Sequence, residues 1–191
     1  SYSISPIFAI VKGELPFGIS QPKQVLQISP LSLERSQEGM KALNLLGEAL
    51  EKGETEKIGA LRKSAEREFR AALAIDPKND QALLGLARLM LRPFAEKEDL
   101  EEAERYLTEA VKYNPRNREA WSHLGVVRLK LKKYAEAESA LGRTLNLGAE
   151  NDPITRYNLG LALMHQKKYG PALDQFRYAA RSTDTARWAY P

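Results

Sequence analysis

The chain has 191 residues and a net charge of +4, with 43% hydrophobic and 28% charged side chains, the make-up of a folded domain or a short repeat array. It has no cysteine, which excludes disulfide staples, thiolate metal sites and thiol nucleophiles. No apolar run reaches the roughly 18 residues of a membrane-spanning helix, and the charge is too mild to argue for nucleic acid on its own.

Residues 1–32 read as an extended segment. Four prolines (Pro6, Pro16, Pro22, Pro30) forbid a long helix, and residues 1–30 carry only three charges, Lys12, Glu14 and Lys23. The runs Ile7–Val11 and Val25–Ile28 need burial, either in a groove of the same or a neighbouring chain or as a cap on the convex face. The sequence starts at Ser1, so it reads as a trimmed or processed chain. The expectation is a soluble protein, cytoplasmic or, after processing, periplasmic and envelope-associated.

Residues 33–184 repeat. Helical segments led by Ala65, Ala103, Ala137 and Ala172 follow one another at spacings of 38, 34 and 35 residues. Each places a large apolar residue four positions on (Phe69, Leu107, Leu141, Phe176), the stripe of a helix that packs closely on its neighbours. A second motif precedes each: Leu43…Leu46-Gly47, Leu83…Leu86-Ala87, Trp121…Leu124-Gly125 and Arg156…Leu159-Gly160, with a small residue where two backbones approach. Lys132-Lys133-Tyr134 and Lys167-Lys168-Tyr169 form the intervening turns, and Pro77 and Pro115 stop the second helices. The repeats run near 40–77, 80–115, 118–149 and 153–184. The first has extra residues around Glu51–Ala60 and the second around Arg92–Asp99. Residues 185–191 read as the start of a capping helix, with Asp184 or Thr183 as N-cap and Trp188 covering the last repeat.

This period, with the Trp/Leu-Gly motif, the alanine and the closing proline, resembles the tetratricopeptide repeat. The resemblance spans about residues 40–184 and implies an all-α fold, a right-handed superhelical solenoid of four helix-turn-helix units whose first helices line a concave surface. Projected onto that surface, the first repeat offers Lys41, Asn44, Glu48 and Glu51, and the second Gln81, Leu84, Arg88 and Leu91. The third offers Glu119, Ser122, Val126 and Leu129, and the fourth Ile154, Tyr157, Leu161 and Met164. The expected groove is polar at its N-terminal end and apolar at its C-terminal end. The family's basic clamp for chaperone tails is absent, because Asn44, Glu48, Gly85, Glu119 and His123 occupy its five positions.

Catalytic chemistry is hard to build from this inventory. The only histidines, His123 and His165, are 42 residues apart and lack a metal-binding or triad spacing. No glycine-rich phosphate loop follows a strand, and acidic pairs such as Glu101-Glu102 read as solvated helix surface. The expected function is therefore a protein-protein interaction scaffold, without enzymatic activity, cofactor or metal, that binds an apolar peptide, helix or extended segment of another protein. Self-association through residues 1–30 is a further expectation. The alternatives are an envelope-associated assembly factor of the repeat-lipoprotein kind, or a binder of nucleic acid or anionic surfaces through a basic edge of Arg128, Lys130, Lys132 and Lys133.

Overall fold

The structure, a computed structural model, describes residues 29–91 and 95–181. Among them are eight α-helices and no strand: α1 (Pro30–Lys52), α2 (Thr55–Ile75), α3 (Asp80–Met90), α4 (Lys97–Tyr113), α5 (Arg118–Lys130), α6 (Tyr134–Thr144), α7 (Pro153–His165) and α8 (Tyr169–Arg181). They pair as four antiparallel hairpins, α1/α2, α3/α4, α5/α6 and α7/α8, and each hairpin packs on the next. The first helices of neighbouring hairpins touch directly, α1 with α3 and α5 with α7. Closer spacing on that side curves the stack and puts the first helices on its inner face.

Local chemistry sets the helix ends. Asn79 and Asn117 cap α3 and α5 by accepting from the backbone N–H of Ala82 and Ala120, at 3.1 and 2.9 Å. Asp152 caps α7, accepting from the N–H of Thr155 at 3.1 Å, and Pro153 takes the first helical position. α2 and α4 end just before Asp76-Pro77 and Asn114-Pro115. The third repeat has no such proline. There α6 runs on through a widened turn, Leu145–Ala149, and is broken by Gly148 at φ 97°.

The first repeat departs from the spacing read in the sequence. α1 begins at Pro30, inside the stretch expected to be extended, where proline serves as a helix-opening residue. Gly47, expected at a close approach, faces open space; the approach is made by Gly39, where a Cβ would lie 2.6 Å from Phe69 Cε1. The cause is length. The extra residues extend α1 to 23 and α2 to 21 residues, against 13 for α5, so the crossing point sits farther from the turn. The residues expected to form the N-terminal segment up to 28, and the capping helix at 185–191, lie outside the described residues.

The core is a chain of seams between hairpins. Phe69, Ala65, Ala72 and Leu86 fill the first, Leu84, Leu107, Leu124 and Val127 the second, and Leu141, Leu159 and Leu163 the third. Each helix gives one stripe to its own hairpin and one to the next, so no hairpin buries its apolar surface alone.

Candidate partner-binding groove

The inner face is built from α1, α3, α5 and α7 and changes character along the stack. At the N-terminal end the structure brings Lys41, Asn44 and Gln81 together around a cleft of about 520 Å³ floored by Leu33 and Met40. Lys41 is paired with Glu38 at 2.6 Å and Glu48 with Lys52 at 3.4 Å, both on the exposed surface of α1, and Glu51 is exposed beside them.

The second repeat requires a correction. Leu84, expected on the groove surface, is fully buried in the seam with α4 and α5, and Leu91 is half-buried against the same seam. α3 is flanked by a hairpin on each side, and its apolar residues are drawn into both contacts, leaving Gln81 and Arg88 for the groove.

In the middle of the groove, Arg88 reaches across to Glu119 at 3.1 Å, and His123 Nε2 lies 3.7 Å from the same carboxylate. The imidazole beside it, with Arg88 and against the opposing effect of burial, holds the Glu119 carboxyl below the usual range. Glu119 and the half-buried Ser122 also border a polar cleft of about 560 Å³ toward Asp152 and Thr155.

The C-terminal end is apolar. On α7, Ile154, Tyr157 and Met164 are 60%, 51% and 38% exposed, and Leu161 between them is half-buried. Tyr157 is braced by Phe176, with ring centroids 5.7 Å apart. On α5, Val126 is half-buried, while half-buried Leu129 turns into the third seam.

The basic edge divides. Glu104 of α4 accepts from Arg128 at 3.2 Å and Lys133 at 2.5 Å, so those two cations staple the second hairpin to the third. Lys130 and Lys132 are exposed and make no ion pair with a described residue. The staple recurs one repeat on, where Glu138 accepts from Lys168 at 2.7 Å and Gln166 at 2.8 Å. Sequence reasoning missed it, although the signal was there: Glu104 and Glu138 each follow the leading alanine, and Lys133 and Lys168 each precede the tyrosine. At both turns the preceding lysine, Lys132 or Lys167, holds a left-handed backbone with φ near 60° (60° and 62°). That conformation costs a side-chain-bearing residue roughly 1–2 kcal/mol. Tyr134 is stacked on His165, with ring centroids 4.4 Å apart, whereas its counterpart Tyr169 is 64% exposed. Among the described residues no group of three or more His, Asp or Glu is placed to hold a metal ion, and no helix is long and apolar enough to cross a membrane.

Glu104 predicts an acid response. Burial pushes its carboxyl up, but hydrogen bonds from Lys133 and Arg128 outweigh this and hold it below the ordinary range. The folded chain therefore binds fewer protons than the unfolded one just below the ordinary carboxylate value. Its contribution is present above about pH 4.5 and is lost as pH falls through the folded value. The melting temperature should fall between pH 5 and pH 3, and Glu104→Gln should be less stable than wild type at pH 7 with a smaller acid response. Equal slopes for the two proteins would contradict this.

Stacked helical hairpins with a curved inner face define a solenoid scaffold. Residues 94–153 match the family model described as tetratricopeptide repeat. Over those residues the chain resembles the tetratricopeptide repeat, and the hairpins on either side of them stack in the same way. No curated protein matches the sequence. Solved structures do, at identities that bear on the fold. Pseudomonas aeruginosa PilF is 23% identical with a TM-score of 0.54, the match covering 78% of each chain. MamA is 18% identical with a TM-score of 0.57, covering 81% of this chain and 90% of its own. YrrB, described as a TPR protein with an unusual peptide-binding site, is 22% identical with a TM-score of 0.58, covering 83% of this chain and 77% of its own.

Proposed function

We propose that this chain is a non-enzymatic scaffold that holds a polypeptide segment of another protein against the inner faces of α5 and α7. The observation that carries this reading is the exposed row Ile154, Tyr157 and Met164 on one side of α7, which packs on α5, the helix that carries half-buried Val126. Apolar side chains at helical spacing on a concave wall suit a helix or extended segment that presents its own apolar anchors. The peptide-binding site in the description of YrrB supports the same use of the fold. A basic-edge binder of nucleic acid is less well supported, because Glu104 already occupies Arg128 and Lys133.

The test is a pull-down with intact protein and an Ile154→Glu/Met164→Glu variant, with bound polypeptides compared by mass spectrometry. Both positions are exposed, so the variant should melt within about 2 °C of wild type. Loss of specific polypeptides from the variant is the expected result. An unchanged set would overturn the groove. Leu84 is unsuitable for such a test, since a charge in that buried seam would unfold the array. Residues 1–30 are a competing occupant. If they fill the groove, their deletion will increase dye binding to exposed apolar surface or change the solution mass.

A further inference from the structure

The inner stripe of α5 and α7 does not end in apolar surface. α5 and α7 run parallel, because each is antiparallel to the intervening α6. The stripe therefore finishes at the same end of both helices. On α5 it passes from Val126 to Lys130, one turn on, and then into the turn at Lys132. On α7 it passes from Leu161 to Met164 and into the turn at Lys167. All three lysines are exposed and none is ion-paired to a described residue.

Each turn has two adjacent lysines with opposite fates. Lys133 and Lys168 are spent on Glu104 and Glu138. Lys132 and Lys167 stand in left-handed backbone, where glycine or asparagine would be easier. Glu104 and Glu138, the carboxylates bound at these two turns, are engaged by the neighbouring Lys133 and Lys168. The apolar stripe thus opens onto a rim of three uncompensated ammonium groups contributed by two successive repeats.

Resting on the groove reading above, we propose that the occupant is an acidic amphipathic polypeptide segment. Its apolar face lies on Val126, Tyr157 and Met164, and its carboxylates cluster at one end against Lys130, Lys132 and Lys167. The rim fixes direction as well as composition, since a segment bound the other way round would leave its acids at the Glu119 end of the groove. Residues 1–30 carry one acid against two lysines, so they do not satisfy this rim. An anionic lipid surface would meet the same lysines but cannot follow the concave stripe behind them.

A random 16-residue peptide display library, selected on the full chain, tests this directly. Selected peptides should combine apolar residues at helical spacing with acids gathered at one end. A Lys130→Gln/Lys132→Gly/Lys167→Gly variant should bind them about tenfold or more weakly. It should melt no lower than wild type, because glycine relieves the two left-handed turns. Raising the salt should weaken wild-type binding more than binding to the variant. Selected peptides that are neutral or basic, or that bind both proteins equally, overturn the acidic rim while leaving the groove standing. Selection of no peptide at all overturns the groove and the rim together. Vesicles of phosphatidylglycerol and phosphatidylcholine form the second arm. If the lysine variant loses vesicle binding while keeping peptide binding, the rim belongs to a membrane surface and the proposal fails.

Discussion

Phe69→Ala should destabilise the array by about 3–5 kcal/mol, the range for deleting a fully buried phenylalanine. Phe69 is 0% exposed and its ring fills the space left by two glycines, Gly39 of its own hairpin and Gly85 of the next. It therefore serves two interfaces, and truncation opens a cavity that neither hairpin can close without shifting the other. For a chain of this length the melting temperature should drop by about 6–20 °C. In a repeat stack the damage should be local. Amide exchange should accelerate first in α1–α3, while α7 and α8 keep their protection. A shift under about 2 °C would mean the ring is replaceable. Gly85→Ala tests the same contact from the opposite side, since its Cβ would overlap the Phe69 ring. Alone it should cost about 1–3 kcal/mol. Combined with Phe69→Leu it should cost less than the two changes added, and simple additivity would refute direct contact.

Asp80→Ala is the second large effect, about 2–4 kcal/mol from stranded amide donors. Asp80 is 3% exposed and accepts from Asn117 Nδ2 at 2.6 Å and Asn114 Nδ2 at 2.9 Å. Asn117 also caps α5, so one side chain ties a helix start to the preceding repeat. The same device operates one repeat earlier. There Asn79 caps α3 and donates to Ser32 Oγ at 2.8 Å, while Ser32 Oγ donates to the Ala72 carbonyl at 2.8 Å. Removing the carboxylate leaves buried amides without acceptors, whereas Asp80→Asn keeps an oxygen and should cost less. Urea denaturation of the two variants distinguishes the cases. Equal stability of Asp80→Ala and wild type would contradict the network.

Much of this was legible in the sequence. The alanine and large apolar positions, four apart and recurring at a fixed period, mark helices that must pack on their neighbours, and those residues are the seams observed. Turn prolines and the apolar residues of α7 were read from the same local chemistry, whereas the capping role of Asn79 and Asn117 emerged only in the structure. The first repeat was misread at Gly47, because an insertion that lengthens two antiparallel helices moves their crossing point without breaking either helical pattern. Gly39 carries the contact, but nothing local distinguishes it from Gly47.

The groove was harder to read for a related reason. Leu84 and Tyr157 look alike in a pattern, apolar on the inner face of a first helix. Leu84 lies between hairpins on both sides and is drawn into the seam, whereas the side chain of Tyr157 remains half in solvent. The fate of the lysines was also invisible, since Lys132 and Lys133 are adjacent and identical in type. Sequence alone determined the helices, their pairing and the repeat, because those depend on periodicity and turn residues within about 35 positions. The tertiary structure alone decided which apolar residues face water and which cations remain uncompensated. Both depend on the residues that neighbouring hairpins set opposite one another, and no spacing along one helix encodes that.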